Sequence, residues 1–171
     1  MYQINDTILY GAHGACRFEG LISRQFNGTQ NEYYVLKPVS GDNSTIYVPA
    51  KNEKLVSQMR PVLSEEELLG LISQIPGEES LWIENDQERK EKYHSILISG
   101  DRIGLVRIIK GLYSHRKEQQ AKGRKLHSAD ERIFKEAEKI LYDEFALVLH
   151  MEPEEVLPFL QDRLEHAGAD T

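Results

Sequence analysis

Short apolar runs separated by turn residues fill roughly the first 50 positions of the chain. Runs at residues 8–10, 15–22, 33–37 and 45–49 are rich in aromatic and β-branched side chains, which favour strands. Asn27-Gly28 has the sequence of a tight hairpin turn, and residues 40–44 have the composition of a second turn. Pro49 cannot donate to a β-ladder, so the last strand ends there or lies at an edge. The pattern predicts a small, strongly bent antiparallel sheet or partly open barrel of four or five strands.

Helical periodicity replaces this alternation from residue 64 onward. Ser64 and Glu67 have the spacing of a capping box, and Ser128 and Glu131 repeat it, so we expect a serine N-cap at the start of two helices. Apolar positions after Ser128 form the longest stripe in the chain, which indicates a central helix of a bundle. Other helices are expected over about residues 83–98, 102–122 and 153–166, with fraying over residues 167–171.

The fold class that follows is α+β, with a small antiparallel bent sheet at the N-terminus followed by an all-α bundle. Pro61 separates strand-like from helix-like sequence, and the boundary falls near residues 52–63. We therefore expect two domains, over residues 1–55 and 62–171, joined by a short connection.

Composition changes this picture little. A chain of 171 residues with 40% hydrophobic residues is typical of a globular protein. Apolar runs stay well short of the roughly 20 residues of a membrane span, and the first residues lack the pattern of a signal peptide, so a cytoplasmic location without membrane association is expected. Cys16, the single cysteine, is expected to be a small buried hydrophobe.

Charge is strongly sorted along a chain whose net charge is -7. Residues 101–126 carry eight Lys and Arg against two acids, whereas residues 127–171 carry four against twelve. A solvated helix face is the competing interpretation, but such faces usually mix both signs. The segregation favours contact with a polyanion, and Lys and Arg on a helix and a following loop suit sequence-tolerant contacts to backbone phosphates.

Motifs for catalysis, metal binding or nucleotide binding are not evident. The six histidines are scattered, without an HExxH pattern, and the sequence contains neither GxxxxGK[ST] nor GxGxxG. His13 near Cys16 could pair a base with a nucleophile, but the alternation that buries Cys16 favours packing. We expect no enzyme activity, no cofactor, no metal and no small-molecule substrate. Trp82, the single tryptophan, fits either core packing or a wedge against bases.

Several motifs occur together in a specific order. They are DTILYGAHG at residues 6–14, EYYVL at 32–36, VPA at 48–50, SGD at 99–101, and AEKIL at 137–141 with Glu144 and Ala146 after it. In this order and spacing the chain resembles, over nearly its whole length, the CarD/CdnL family of bacterial transcription regulators. Its N-terminal part resembles the Tudor-like, SH3-like RNA polymerase-interaction module also found in the transcription-repair coupling factor Mfd. The chain is too short for the motor of that factor, so it would act as a stand-alone protein.

The resemblance implies a polymerase-bound regulator. The N-terminal sheet would dock on the RNA polymerase β subunit, and the helical domain would contact promoter DNA through the minor groove and phosphate backbone at the upstream edge of the melted bubble, stabilising the open complex. Polymerase contacts would involve Arg24, Ile46, Tyr47 and Pro49. Family members carry arginine where this chain has Tyr47, so an aromatic or hydrogen-bonded contact would replace an ion pair.

DNA contacts are expected from the helical domain. The family places a tryptophan wedge before an arginine-rich segment, and Trp82 is the candidate, although it lies about four residues earlier than in the family and Asp86 takes the matching place. Arg89 keeps the position of a DNA-contacting arginine. By their charge, the candidates for phosphate contacts are Arg116, Lys117, Lys122, Arg124 and Lys125. The alternative is an adaptor that binds RNA polymerase or another protein without touching DNA.

Overall fold

A computed structural model describes residues 1–39, 41 and 43–169 of the chain. The chain divides into two compact units, Met1–Val62 and Leu63–Thr171. Strands occupy the first and long helices the second, so the predicted α+β class is confirmed. The turn expected at residues 40–44 and the fraying expected at 167–171 include residues 40, 42, 170 and 171, which lie outside the described residues.

The N-terminal unit is built on one antiparallel sheet. Its described elements are β1 (Thr7–Tyr10), β2 (Ala15–Phe26), β3 (Thr29–Pro38), β4 (Ile46–Pro49), the one-turn helix α1 (Glu53–Val56) and β5 (Met59–Pro61). The strand order is β4-β3-β2-β1-β5, which places β4 and β5 at the two edges. Strand β5 lies in the stretch that the sequence pattern assigned to the connection between the domains. It pairs with β1, but its three residues, which end in Pro61, carry no sequence pattern that predicts a strand.

Turn chemistry fixes the register of the β2–β3 hairpin. Asn27 and Gly28 both have positive φ, 49° and 76°, as a type I′ turn requires, and this confirms the predicted hairpin. A bulge between Phe18 and Gly20 bends β2, and Gly20 has a φ of 123° that side-chain-bearing residues rarely adopt. The long, bent hairpin pairs the far end of β2 with β3, which pairs with β4 on its other side.

Cys16 lies in the apolar core of the sheet, together with Ile8, Phe18, Leu36 and Val48. Its side chain is fully buried, and burial raises the pKa of the Cys16 thiol to about 11. A thiol held neutral in an apolar site is a poor nucleophile, so packing explains Cys16.

The second unit is a bundle arranged around one long helix. Its described helices are α2 (Glu65–Gln74), α3 (Asp86–Ser99), α4 (Arg102–Ala121), α5 (Ser128–Leu149) and α6 (Pro153–Ala169). Helix α5 contacts all four of the others, and its apolar stripe, including Phe134, Ala137, Leu141 and Phe145, is buried. The prediction of a central helix is confirmed. Among the described residues, no helix is long and apolar enough to cross a bilayer.

The two predicted capping boxes have different outcomes. The hydroxyl of Ser64 accepts from the backbone N–H of Glu67, and the Glu67 carboxylate accepts from the N–H of Ser64, as expected. The prediction at Ser128 was wrong. Ser128 is already the first residue of α5, His127 is the N-cap, and no side-chain cap hydrogen bond forms there among the described residues.

A buried ion pair fixes the start of the helical unit. Both carboxylate oxygens of Glu144, which is 2% exposed, accept hydrogen bonds from Arg102, at 2.6 and 2.7 Å. The same carboxylate accepts from the backbone N–H of Leu63 at 3.3 Å. Arg102 therefore holds α4 to α5 and is a structural residue of the bundle.

Candidate protein and nucleic-acid interfaces

Arg24 and Tyr47 lie side by side on one face of the N-terminal sheet. The Arg24 Nη2 donates a hydrogen bond to the Tyr47 hydroxyl at 3.1 Å, and the guanidinium carbon lies 4.5 Å from the centroid of the tyrosine ring. Tyr33 meets the same ring edge-on, at 6.5 Å between centroids. Tyr47 remains 41% exposed. Two of the residues predicted for polymerase binding thus form one exposed contact surface.

The other two predicted polymerase-binding residues differ in orientation. Ile46 neighbours Tyr47 in β4, so their side chains point to opposite faces of the sheet, and Ile46 packs against the core. Pro49 lies two residues beyond Tyr47 and is paired in register with Tyr33, so it shares the face of Tyr47. Ile46 therefore packs β4 against the core of the N-terminal unit, while Pro49 ends the strand on the exposed face.

Strand β4 is also an edge of the sheet. Edge strands present unpaired backbone N–H and C=O groups, which a strand of a partner can continue. The exposed Arg24 and Tyr47 side chains therefore flank a backbone edge that is suited to protein binding.

Residues 78–85, here named the Trp82 segment, run along α4 in the helical unit. The Leu81 N–H donates to the Arg107 carbonyl at 2.9 Å, and the Leu81 carbonyl accepts from the Tyr93 hydroxyl at 2.5 Å. Lys110 donates to the Glu78 carbonyl at 2.6 Å. Helix α4 can approach so closely because residue 111 is glycine. The backbone before Trp82 is therefore fixed from two helices.

Trp82 is held between His115 and Arg89, in an arrangement we name the Trp82 stack. The indole and the His115 ring are stacked at 3.8 Å between centroids, and the Arg89 guanidinium carbon lies 4.3 Å from the indole centroid. One ring face has no room for both groups, so they lie on opposite faces. The indole N–H donates to Glu84 at 3.2 Å. Trp82 has features of both predicted roles, core packing and a wedge against bases, because its ring is half-buried against the core and also lies at the surface.

Arg89 is buried, in contrast to the expectation of DNA contact. Its side chain is 4% exposed and donates to both carboxylate oxygens of Asp130, at 3.1 and 2.9 Å, and to Asp86 at 2.8 Å. It also donates to the carbonyl of Ile83 at 2.8 Å. Burial opposes ionisation of this guanidinium, but its hydrogen bonds to the two aspartates outweigh burial and raise the Arg89 pKa. This geometry favours a structural role, in which the Arg89 guanidinium packs against one face of the Trp82 indole.

The eight cations of residues 102–125 fall into different groups. Arg102 binds Glu144, Arg107 pairs with Glu78 at 3.0 Å, and Lys110 binds backbone carbonyls. Three cations are therefore used inside the protein. Lys117, Lys122, Arg124 and Lys125 are exposed, and no ion pair involves them in the described part of the chain. Local charge counting could not separate these groups, because the acids lie on other elements.

Arg116 and Lys117 lie on a different side of α4 from the Trp82 segment. His115 and Gln119, four residues apart, share the face that meets the Trp82 segment. Tyr113 and Lys117 share another face, rotated by about 160° from His115 at 100° per residue. The Lys117 amino group lies 4.9 Å from the Tyr113 ring centroid, and Arg116 lies over Phe134 at 4.5 Å. Arg116 and Lys117 are thus not grouped with Arg124 and Lys125.

Tyr113 of α4 is 46% exposed. The buried stripe of this helix is formed by Leu105, Val106, Ile108 and Leu112. The Tyr113 ring lies beside Arg116 and Lys117, so α4 presents an exposed aromatic ring next to two cations.

A surface cavity of about 330 Å³ lies beside the Trp82 stack. The residues that line it include Trp82, Arg89, His115 and Gln119, the acids Glu84 and Asp86, and Arg124 and Lys125 of the α4–α5 loop. Gly123, with φ of 70°, ends α4 and turns the chain into this loop. The structure therefore brings together four of the predicted DNA-binding residues, Trp82, Arg89, Arg124 and Lys125.

Burial raises the pKa of several acidic groups in the bundle, among them Tyr93 and the half-buried Glu138. Burial raises the pKa of Tyr93 to about 12, which keeps its hydroxyl a donor to Leu81. Burial also raises the pKa of the Glu138 carboxyl, while Arg116 and a hydrogen bond with Tyr142 act in the opposite direction. In the described residues, His, Cys, Asp and Glu side chains do not form a group of three able to hold a metal ion.

Sequence reasoning missed His115, Gln119, Gly111 and Asp130. The spacing of Gly111, His115 and Gln119 by four residues marks one helix face, but nothing local indicates that a preceding segment packs there. Asp130 was interpreted as part of a capping box, and its partner Arg89 lies 41 residues away.

The two units match two known domains in order. Residues 2–63 match the CarD-like/TRCF RID domain, and residues 71–161 match the C-terminal domain of CarD. The second match alone covers more than half of the chain. The protein belongs to the CarD-like family, and neither match is to an enzyme family.

A similar protein is the "Putative transcription factor YdeB" of Bacillus subtilis (strain 168). It is 37% identical over 62 residues, a match that covers 36% of this chain and 39% of that protein. The chain thus spans well under two thirds of the length of this relative.

Proposed function

We propose that this protein regulates transcription by docking on the β subunit of RNA polymerase and by stabilising the promoter open complex. The N-terminal unit, with a Tudor-like fold, would bind the polymerase. The helical unit would make sequence-tolerant contacts to DNA at the upstream edge of the bubble. Such a protein acts by binding and needs neither enzyme activity nor a cofactor, and it would work in the cytoplasm, where polymerase and promoter DNA meet.

The observation that carries the proposal is the ordered match of both units to CarD domains. The first domain is shared, by its description, with TRCF proteins, and the second is described as the C-terminal domain of CarD. A protein that combines both is suited to link polymerase to a second contact.

The polymerase-binding role is supported by the exposed surface of β4. An edge strand offers backbone hydrogen bonds, and Tyr47 offers an aromatic ring held in place by Arg24. Aromatic residues are frequent energetic centres of protein interfaces. Tyr47 can supply the aromatic contact that replaces the family's arginine at this position.

The DNA-binding role is supported by cations that form no ion pair within the described residues. Arg124 and Lys125 are exposed beside Trp82, and Lys122 precedes them at the C-cap of α4. Contacts of this kind neutralise phosphates and carry little sequence information. The affinity of these cations for DNA is weak when the protein is not bound to polymerase. Tethering to polymerase raises the effective concentration of DNA at this surface.

The acidic remainder of the chain fits the same function. Residues 127–171 carry twelve acids against four cations. Their repulsion for phosphates would limit binding to DNA far from polymerase, while the cations near Trp82 act where the protein is already held.

A promoter footprint with RNA polymerase tests the proposal. We expect the full-length protein to extend the lifetime of the open complex and to change protection at the upstream edge of the bubble. Tyr47→Ala should weaken the effect by reducing polymerase binding, and Trp82→Ala should weaken it with polymerase binding intact. Reversal of charge at Arg124 and Lys125 should act like Trp82→Ala.

Lys135→Glu, a reversal at an exposed residue on α5, is the matched control and should leave the footprint unchanged. If polymerase binds but the footprint ignores Trp82, Arg124 and Lys125, the protein is an adaptor without DNA contact. If the full-length protein does not bind the β subunit, the proposal fails.

A further inference from the structure

The tip of the β2–β3 hairpin extends beyond the other strands of the sheet. In the described pairings, β1 follows β2 only as far as Arg17, and β4 pairs with β3 only from Tyr33 onward. Residues 24–26 therefore pair with residues 29–31 of the same hairpin and with no third strand. A two-stranded ribbon is marginally stable by itself, so the order of this end depends on its turn.

Asn27 and Gly28 form that turn and are both exposed. Within the part of the chain that the structure describes, the Asn27 side chain makes no hydrogen bond. A Cβ added at Gly28 would meet no atom within 4 Å, so the space around this residue is open. The Asn27 amide and the backbone nitrogen that follows it are thus unhindered by neighbouring groups.

The other asparagines of the chain have different surroundings. Asn52 and Asn85 are helix N-caps, and their side-chain oxygens accept a backbone N–H of the first helical turn at 3.2 and 3.0 Å. The Asn31 amide donates to a backbone carbonyl at 3.5 Å. Asn27 is the one asparagine in the sequence that precedes glycine. It combines an unengaged amide with a successor that has no side chain.

We propose that Asn27 is a site of spontaneous covalent modification that sets how well the hairpin end is ordered. The backbone nitrogen of Gly28 attacks the side-chain carbonyl carbon of Asn27 and loses its proton as the new C–N bond forms. The bond from that carbon to the side-chain nitrogen breaks, and ammonia leaves. Water then opens the resulting succinimide ring at either carbonyl, which gives aspartate or isoaspartate. The net change consumes one water and releases one ammonia, without an oxidant or a cofactor.

The two-stranded ribbon gives this reaction its opportunity. The Gly28 nitrogen reaches the side-chain carbonyl only when the turn leaves its type I′ geometry, in which Asn27 and Gly28 have φ of 49° and 76°. Segments with few supporting contacts open locally much more readily than a core. Glycine also permits the change in backbone angles that closure of the ring requires.

Isoaspartate alters the backbone of the turn. The main chain then passes through the former side-chain methylene, so the two-residue turn is lengthened and gains a negative charge. Because the turn fixes the register of a hairpin, pairing between residues 24–26 and 29–31 should loosen. Arg24 lies in this segment and donates to the Tyr47 hydroxyl at 3.1 Å. An effect on polymerase binding rests on the proposed function, whereas the chemistry at Asn27 does not.

Ageing of the full-length protein at mildly alkaline pH tests the chemistry. Peptide mapping by mass spectrometry should detect the exchange of amide for acid first at Asn27, with Asn31 in the same peptide as the internal control. Isoaspartyl methyltransferase with a labelled methyl donor should label this peptide. Asn27→Gly keeps a sequence that suits the type I′ turn and should abolish the label there.

The isoaspartate form, separated by ion exchange, tests the effect on the hairpin. Amide hydrogens of residues 24–31 should exchange about tenfold faster or more than in the fresh protein. Its affinity for the polymerase β subunit should fall about tenfold, because the hairpin end must be ordered again on binding. Fresh Asn27→Asp adds the charge but keeps a sequence that suits the turn, so its hydrogen exchange should match that of the wild type.

The proposal is overturned if Asn31 converts as fast as Asn27, or if the isoaspartate form exchanges its hairpin amides as slowly as the fresh protein. These results are independent of polymerase. If the isoaspartate form is loosened but the fresh protein does not bind the β subunit, the modification site stands and the proposed function fails. If the fresh and isoaspartate forms bind the β subunit equally, the proposed function stands and the link between Asn27 and polymerase is overturned.

Discussion

Gly111 lies directly against the carbonyl group of Leu81. A Cβ added at Gly111 would come well within 3.0 Å of that carbonyl oxygen, a distance that real Cβ atoms do not tolerate. The contact is between two backbones, so a rotamer change cannot relieve it. Gly111 therefore sets the distance between α4 and the segment that carries Trp82.

Gly111→Ala should displace the Trp82 segment. We expect a loss of about 1–3 kcal/mol in the free energy of unfolding, the range for overpacked sites, despite the better helix propensity of alanine. The emission of Trp82 should change at the same time, because the ring moves relative to His115. Urea unfolding followed by Trp82 emission measures both.

Gly70→Ala is the matched control for this substitution. Gly70 lies inside α2, and a Cβ there meets no atom within 4 Å. The variant should gain about 0.5–1 kcal/mol through helix propensity. Equal effects of the two substitutions would contradict the role assigned to Gly111.

Removal of one partner of the Arg89–Asp130 pair should destabilise the helical unit. Asp130→Ala leaves Arg89 buried without its main acceptor, and Arg89→Met leaves Asp130 without a donor, so each should cost about 3–5 kcal/mol. The double variant should cost less than the sum, because the partners act together. Urea unfolding tests this, with Arg124→Met as the exposed control. Unchanged stability with reduced DNA affinity would instead make Arg89 a DNA-contacting residue.

The salt dependence of DNA binding should separate free from paired cations. Each phosphate contact contributes about 0.9 to the slope of log affinity against log salt concentration. Arg124→Gln and Lys125→Gln should each reduce the slope by about this amount. Arg107→Gln removes a cation that already pairs with Glu78 and should leave it unchanged. Slopes equal to that of the wild type in Arg124→Gln and Lys125→Gln would show that these two residues bind no phosphates.

Tyr47→Ala should lower polymerase affinity with little effect on folding. The ring is 41% exposed, so its loss should change stability by no more than about 0.5 kcal/mol. Tyr47→Phe keeps the ring beside Arg24 but removes the hydroxyl acceptor. Its affinity for the β subunit therefore shows whether the ring or the hydrogen bond matters. Wild-type affinity in Tyr47→Ala would remove Tyr47 from the interface.

Glu138→Gln should stabilise the protein at neutral pH. The pKa of Glu138 is raised by burial, so the ionised carboxylate is less favourable in the folded than in the unfolded protein. The contribution of Glu138 to stability is thus fully present below its unfolded pKa and lost as the pH rises through the folded pKa. The advantage of Gln should shrink as the pH falls toward about 4, where glutamate is largely protonated. Unfolding at several pH values tests this against Glu136→Gln, at an exposed position.

Local sequence signals predicted the elements that depend on neighbouring residues. Asn27-Gly28 specifies its hairpin turn and Ser64 with Glu67 specifies a helix start, because the interacting groups lie within three residues of each other. Strand β5 was missed, since three residues ending in proline carry no pattern and gain their structure by pairing with β1.

The candidate site was predictable only in part. The sequence indicated Trp82 and the cations near residue 124, which the structure places at one cavity. It could not show that Arg89, Arg102 and Arg107 are engaged, because their acidic partners lie 41, 42 and 29 residues away. Charge alone gives the number of cations in a stretch but not how many are available to a ligand.

The hydrogen bond from Leu63 to Glu144 determines how mechanical load enters the helical unit. The chain passes from the first unit to the second at Leu63, whose N–H is held by a carboxylate that Arg102 also binds. Force applied to the chain at Leu63 would therefore act on Glu144 of the central helix as well as on the first turn of α2, and Arg102 would oppose displacement of that carboxylate.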